Sequence, residues 1–162
     1  MLRMCVKTIA GFLLFVGVAF SVAQSGTVSA GQQSPKAVTS LDYEYFKARV
    51  EPIFLKDRPG HARCYSCHGS GNGPQYLVRL SPGSTVWTEE QSRQIFENVS
   101  KLVDLADPMN SRFLIHPLSP LAGGDIEFVH TGGRQFESKD DPDWKIMAAW
   151  ASGAKLSSSA QR

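Results

Sequence analysis

The sequence predicts an all-α domain with long irregular loops, and three observations carry that expectation. Apolar residues recur at helical spacing in three separate stretches, near 40–55, 88–107 and 141–153. Capping residues stand in front of these stretches. Between them the chain is punctuated by Pro and Gly, and no βαβ pattern appears.

The first expected helix runs from about Ser40 to Leu55. Thr39 serves as N-cap with Asp42 three residues on, Val38 can pack on Tyr43, and Tyr43, Phe46, Val50, Ile53 and Phe54 share one face. Pro52 removes a backbone donor and clashes with the preceding turn, so a kink or an end is expected near residues 49–51. The second helix opens on a Thr88/Gln91 capping box, with Glu89 and Glu90 at the positive end of its dipole. Ile95, Phe96, Val99, Leu102, Val103 and Ala106 keep the period until Asp107-Pro108 ends it. The third begins with Asp141 as N-cap, Pro142 as first helical residue and Asp143 in the first turn. Trp144, Met147, Ala148 and Ala151 line its face, Ile146 and Trp150 widen it, and Gly153 is placed to cap the C-terminus.

The connections are polar or glycine-rich. Lys56 to Arg63 contains the turn Pro59-Gly60, Gly69 to Pro74 allows sharp bends and close approach to a flat ligand, and Ser81-Pro82-Gly83-Ser84 is a further turn after the short apolar run Tyr76 to Leu80. Met109 to Lys139 lacks strong periodicity apart from a possible helical turn at Ser111 to Ile115. So long an irregular segment inside a compact domain points to a functional loop.

Between the first two helices stands Cys64-Tyr65-Ser66-Cys67-His68, followed by Gly69. Two thiols separated by two residues with an imidazole directly after is the attachment signature of a c-type haem. Each thiol adds to one of two vinyl groups on the same porphyrin edge, and the next side chain then lies under the iron as proximal ligand. One covalently attached haem with its iron is therefore the expected cofactor, held by Cys64, Cys67 and His68, and the three helices are expected to surround it. The bland readings are a thioredoxin-like redox pair, half of a zinc site, or an ordinary disulfide. Zinc would need further histidines such as His61 or His68, because the third cysteine, Cys5, lies in a segment expected to be removed. His61 itself reads as a solvent-facing loop residue.

That segment is residues 1–23. Arg3 and Lys7 make a basic start, Ile9 to Phe20 is an apolar run of 12 residues, and Ser21-Val22-Ala23 offers small residues for signal-peptide cleavage. An uncleaved anchor is the alternative, although a spanning helix takes about 20 apolar residues. Residues 24–40 read as a flexible linker, 41–156 as the domain and 157–162 as a frayed tail. Export to the bacterial periplasm or beyond agrees with the motif, since haem is joined to such chains outside the cytoplasmic membrane and a free thiol pair there would oxidise. Loss of Arg3 and Lys7 takes the 17 basic residues to 15, equal to the 15 acidic ones. This balance offers no basic patch for nucleic acid or an anionic membrane.

A helix just before the motif, a long loop after it and a helix at the end of the domain resemble the class I cytochrome c fold over about Leu41 to Leu156. More narrowly, Val50-Glu51-Pro52-Ile53-Phe54 leading into Cys64-Tyr65-Ser66-Cys67-His68-Gly69, then Trp150-Ala151-Ser152-Gly153-Ala154, looks like the small cytochrome c domains of secreted bacterial proteins, including those of planctomycete type. The resemblance implies that the first and last helices cross, with Phe46 and Val50 on Met147, Trp150 and Ala151. It also implies a second axial ligand in the loop ahead of the last helix, where class I relatives usually place a methionine. Met109, His116 and His130 are the candidates here, and thioether and imidazole are both known axial ligands. His130 is preferred, because it lies 11 residues before Asp141 and precedes the flexible Thr131-Gly132-Gly133.

The expected function is one-electron transfer to a redox partner protein, with no enzymatic activity. A six-coordinate haem leaves no open position for substrate. The alternative from another class is a haem enzyme or gas sensor with an open distal site, in which His116 or His130 supplies acid–base chemistry without ligating. A zinc-stapled module without redox work is the third reading.

Overall fold

The computed structural model describes residues 40–157. The expected leader, almost all of the linker with Val38 and Thr39, and the end of the tail lie outside the described residues. Within them the secondary structure is helical: α1 (Tyr43–Tyr45), a π-helical turn (Phe46–Val50), α2 (Glu51–Leu55), α3 (Cys64–His68), α4 (Glu89–Ser100), α5 (Arg112–Ile115) and α6 (Pro142–Ala151), with 3₁₀ turns at Pro108–Asn110 and Pro120–Ala122. Among the described residues there is no β-strand, only isolated bridges joining Arg58 to His61 and Leu118 to Phe136. The all-α expectation holds there. No described helix is long and apolar enough to cross a membrane.

The first helical segment differs from expectation at its start and in its middle. It begins at Tyr43 rather than Ser40, because the Asp42 carboxylate accepts from the Tyr45 amide at 2.7 Å and supplies the cap locally. The break foreseen at Pro52 is a widened turn instead of an end. The Glu51 amide reaches back to the Phe46 carbonyl, five residues away, and this π register precedes the proline that could not have donated to residue 48. The helix then continues through α2, which keeps Phe46, Val50, Ile53 and Phe54 all buried.

α4 carries the expected capping box, with Gln91 and Thr88 exchanging bonds at 3.0 and 3.2 Å. It ends at Ser100, short of the expected stop at Asp107-Pro108. The period survives past that point because Leu102 and Val103 still pack on the core from a turn, while the Leu102 carbonyl is taken by the Phe113 amide at 3.2 Å and the Asp104 amide by Ser111 Oγ at 2.8 Å. Tertiary partners thus replace the helical ones. α5 forms where a short turn was expected. α6 begins on Asp141, whose carboxylate accepts from the Asp143 and Trp144 amides, and Gly153 beyond its end takes a φ of 86°, the left-handed conformation that closes a helix.

Trp150, fully buried, ties the beginning to the end. Its ring lies 5.0 Å from Phe46 and 5.3 Å from Phe113, centre to centre, and its Nε1–H donates to the Asp42 carbonyl at 2.9 Å. The first and last helical segments therefore meet, with Val50, Met147 and Ala151 buried in the same core. Arg58 adds a half-buried clamp: it pairs with Asp141 at 3.0 Å and with Asp143, which Lys56 also reaches at 2.7 Å. This holds the turn leading to α3 against the N-terminus of α6.

Candidate functional site

α3 is one short turn, and its geometry follows from its neighbours. Arg63 precedes it in extended conformation and Gly69 ends it. The chain then doubles back so closely that a Cβ added at Gly71 would stand 2.2 Å from the Ser66 carbonyl oxygen, which is why glycine is needed there. The return segment delivers the Pro74 carbonyl to His68, 2.8 Å from Nδ1, and the Leu77 amide to the His68 carbonyl at 3.0 Å. A carbonyl only accepts, so Nδ1 carries a proton and donates it to Pro74. Tyr76 lies beside the ring at 5.5 Å.

Beyond His68 opens a cleft that is partly open to solvent. Its walls are mainly apolar: Phe54 from α2, Leu77, Val99 from α4, Phe113 from α5, Phe136 and Met147 from α6. Cys64, His68, His116 and His130 also line it. The second thiol, Cys67, is not among the lining residues; a Cβ on Gly132 would come within 3.7 Å of its Sγ. Both cysteines are free thiols, and burial pushes that of Cys64 up to about 11. A redox-active pair of the thioredoxin kind needs the opposite, a lowered thiol pKa.

His130 faces the cleft from the loop ahead of α6. Its Nδ1 donates to the Gly133 carbonyl at 2.6 Å, so the neutral ring keeps its lone pair on Nε2. Burial holds its pKa below the ordinary imidazole range, so the ring is neutral near pH 7. The ring centres of His68 and His130 are 6.1 Å apart. Two imidazoles binding one metal from opposite sides, with nitrogens about 2.0–2.1 Å from it and each ring centre roughly 1.1 Å behind its nitrogen, would be separated by roughly 6.3 Å. The separation of the ring centres is close to that value.

The other candidates are placed differently. Met109 is part-exposed, and its Sδ accepts from Ser152 Oγ at 3.8 Å near the end of α6, away from the cleft lining. His116 does reach the cleft, with its ring 5.0 Å from that of His130 and its Nδ1 3.4 Å from Asp125 Oδ2. Burial lowers its pKa, Asp125 only partly offsetting this. His61 is half-buried rather than solvent-facing, with Nδ1 enclosed and lacking a hydrogen-bond partner. The chain folds it inward because the Ala62 amide and carbonyl are held by the Gly132 carbonyl at 3.3 Å and the Gln135 amide group at 3.0 Å.

Sequence reasoning missed Gln135 and Arg134. Gln135 is buried at the cleft wall and donates to the Ala62 and Gly133 carbonyls, the latter being the acceptor of His130. Arg134 donates to the carbonyls of His116, Asp125 and Phe128, cross-tying the loop that carries both histidines. Neither carried a signal in the sequence beyond its place just after Gly132-Gly133. Among the described residues, no three His, Cys, Asp or Glu side chains converge as a ligand group for a bare metal ion. Comparison with known protein families, with characterised proteins and with solved structures finds no match to this chain.

Proposed function

We propose that this chain is a secreted monohaem c-type cytochrome, an electron carrier of class I-like fold acting in the periplasm or outside the cell. The observation that carries the reading is that two histidines, each with Nδ1 tied to a backbone carbonyl, line one apolar cleft. The His68 and His130 ring centres stand 6.1 Å apart, and Cys64 and Cys67 belong to the same short helix, α3, as His68. In a tetrahedral zinc site two more donors would have to converge with the cysteines. Cys64 and Cys67 would hold a haem by adding their S–H groups across its two vinyl groups, with no atom lost. Once bound, the haem supplies reversible one-electron exchange between ferric and ferrous iron.

The chain's own part is to bind, orient and exclude water. Cys64 and Cys67 anchor, the Pro74 and Gly133 carbonyls orient the two imidazoles, and Phe54, Phe113, Phe136 and Met147 keep the cleft dry. With His68 and His130 both holding a haem iron, no coordination position would be left for substrate, which favours the carrier role over the enzymatic one. Two histidine ligands also imply a lower potential than His/Met ligation.

The test is haem staining on a denaturing gel together with absorption and paramagnetic resonance of protein produced with haem-maturation machinery. Covalent stain and a low-spin ferric form indifferent to cyanide and carbon monoxide are expected. His130→Ala should turn that spectrum high-spin, while Met109→Leu should leave it unchanged. A second reading, gas binding or peroxidatic chemistry at an open site, draws on His116 with Asp125 beside it as a distal acid–base pair. It predicts a high-spin wild type that binds those ligands readily.

A further inference from the structure

The cleft that would hold the porphyrin is apolar on nearly every wall, yet a haem carries two carboxylates that lose hydration on entering such a site. Burying an anion there without a cation is costly. The arginines of the described residues differ sharply in what they already do. Arg58 is committed to Asp141 and Asp143, Arg63 to Asp57 at 3.2 Å, Arg93 to Glu89 at 2.7 Å, and Arg134 to three backbone carbonyls. Arg49 lies on a different groove, between α2 and α6, and Arg79 is not at the cleft. Arg112, at the start of α5, lines the cleft itself, and no carboxylate among the described residues pairs with it. Its guanidinium rests over the Phe128 ring, 5.3 Å from the ring centre. That contact positions the head without using its five N–H donors, which remain available for a planar, bidentate anion.

The geometry points to Arg112 as the residue that takes a haem propionate at the cleft mouth, its guanidinium paired with the carboxylate and propped by Phe128. This rests on the cytochrome reading above and adds to it which cation meets the acid group. Arg112 touches the cofactor in this role without ligating iron. Its positive charge near the iron favours the ferrous form, which carries one positive charge less.

The test compares matured wild type with Arg112→Gln, Arg112→Lys and, as a control cation outside the cleft, Arg79→Gln. Resonance Raman reads the propionate bending band directly, and a redox titration reads the ferric/ferrous balance. Arg112→Gln should shift the band and move the equilibrium several-fold toward the ferric form. Arg112→Lys should restore most of the equilibrium but not the band, since a point charge replaces a bidentate fork. Arg79→Gln should change neither. A haem-stained, low-spin Arg112→Gln protein with band and potential both unchanged overturns the assignment. A wild type that takes no haem stain overturns the cytochrome reading, and this one with it.

Discussion

On one side of the cleft, Cys64, Cys67, His68 and the Pro74 carbonyl that orients the imidazole all fall within 11 consecutive residues. On the other side His130 depends on Arg134, Gln135, Pro117 and Ser119, brought together from separate parts of the long loop. The Pro117 carbonyl accepts from the Gln135 and Phe136 amides at 2.7 and 3.1 Å, and the Phe136 carbonyl from the Ser119 amide at 2.7 Å. The near side is a local turn whose contacts follow from adjacency in the chain. The far side is a loop closed by contacts across 15 to 20 residues, each of which stabilises only if the others are present.

The largest effect expected breaks the near side alone. Cys67→Ala should leave at most one thioether, and His68→Ala should leave almost no haem-loaded protein, both read by haem-stained gels and the yield of coloured material. Next comes the framework shared by both sides. Trp150→Ala removes a buried indole that touches Phe46, Phe96 and Phe113, and should cost about 3–5 kcal/mol in denaturant unfolding.

Arg134→Ala sharpens the contrast by touching the far side only. It strands three carbonyls, so a loss of about 1–3 kcal/mol is expected. Amide exchange should quicken across residues 125–133 while α4 keeps its protection. If exchange in α4 rises equally, the loop and the framework are one cooperative unit and the comparison fails.

The smallest effect lies in neither side. Glu51 is buried between the π-helical turn and α4, with Oε2 and the nearby Ser92 Oγ both lacking an aligned partner. Burial raises its carboxyl pKa above the ordinary value, with Ser92 and Lys47 offsetting only part of this. A folded-state pKa above the unfolded one means that the folded chain binds the proton more tightly. The stability this contributes is complete below the unfolded pKa and is lost as pH rises through the folded one. Glu51→Gln should therefore stabilise the protein at pH 7 by about 1 kcal/mol. The gain over wild type should vanish below pH 4, as unfolding curves at the two pH values would show, and the two sides of the cleft should be unaffected.

Much of the framework was legible beforehand because it is written in short-range patterns. The Asp141-Pro142 start, the Thr88/Gln91 box and the Gly153 cap are each satisfied within a few residues, so a reader needs only propensity and spacing to find them. The ends of helices were less legible. The first helix starts at Tyr43 on an Asp42 cap, and α4 stops at Ser100 although the apolar period continues, because Leu102 and Asp104 exchange helical bonds for bonds to Phe113 and Ser111. Hydrophobic period reports which side faces inward, not whether the backbone stays helical.

The sequence by itself determined the motif, the three helical stretches and the polarity of what joins them, since these depend on neighbours along the chain. Only the tertiary structure decided which of the loop's polar residues meet α3. It brought His116, His130 and Arg112 to the cleft, left Met109 by Ser152 and turned His61 inward. The reason is physical: an irregular segment has no period to reveal its inward face. Its conformation is set by backbone carbonyls and amides finding partners far away in sequence, and by an arginine that could have served many acceptors and serves three of them.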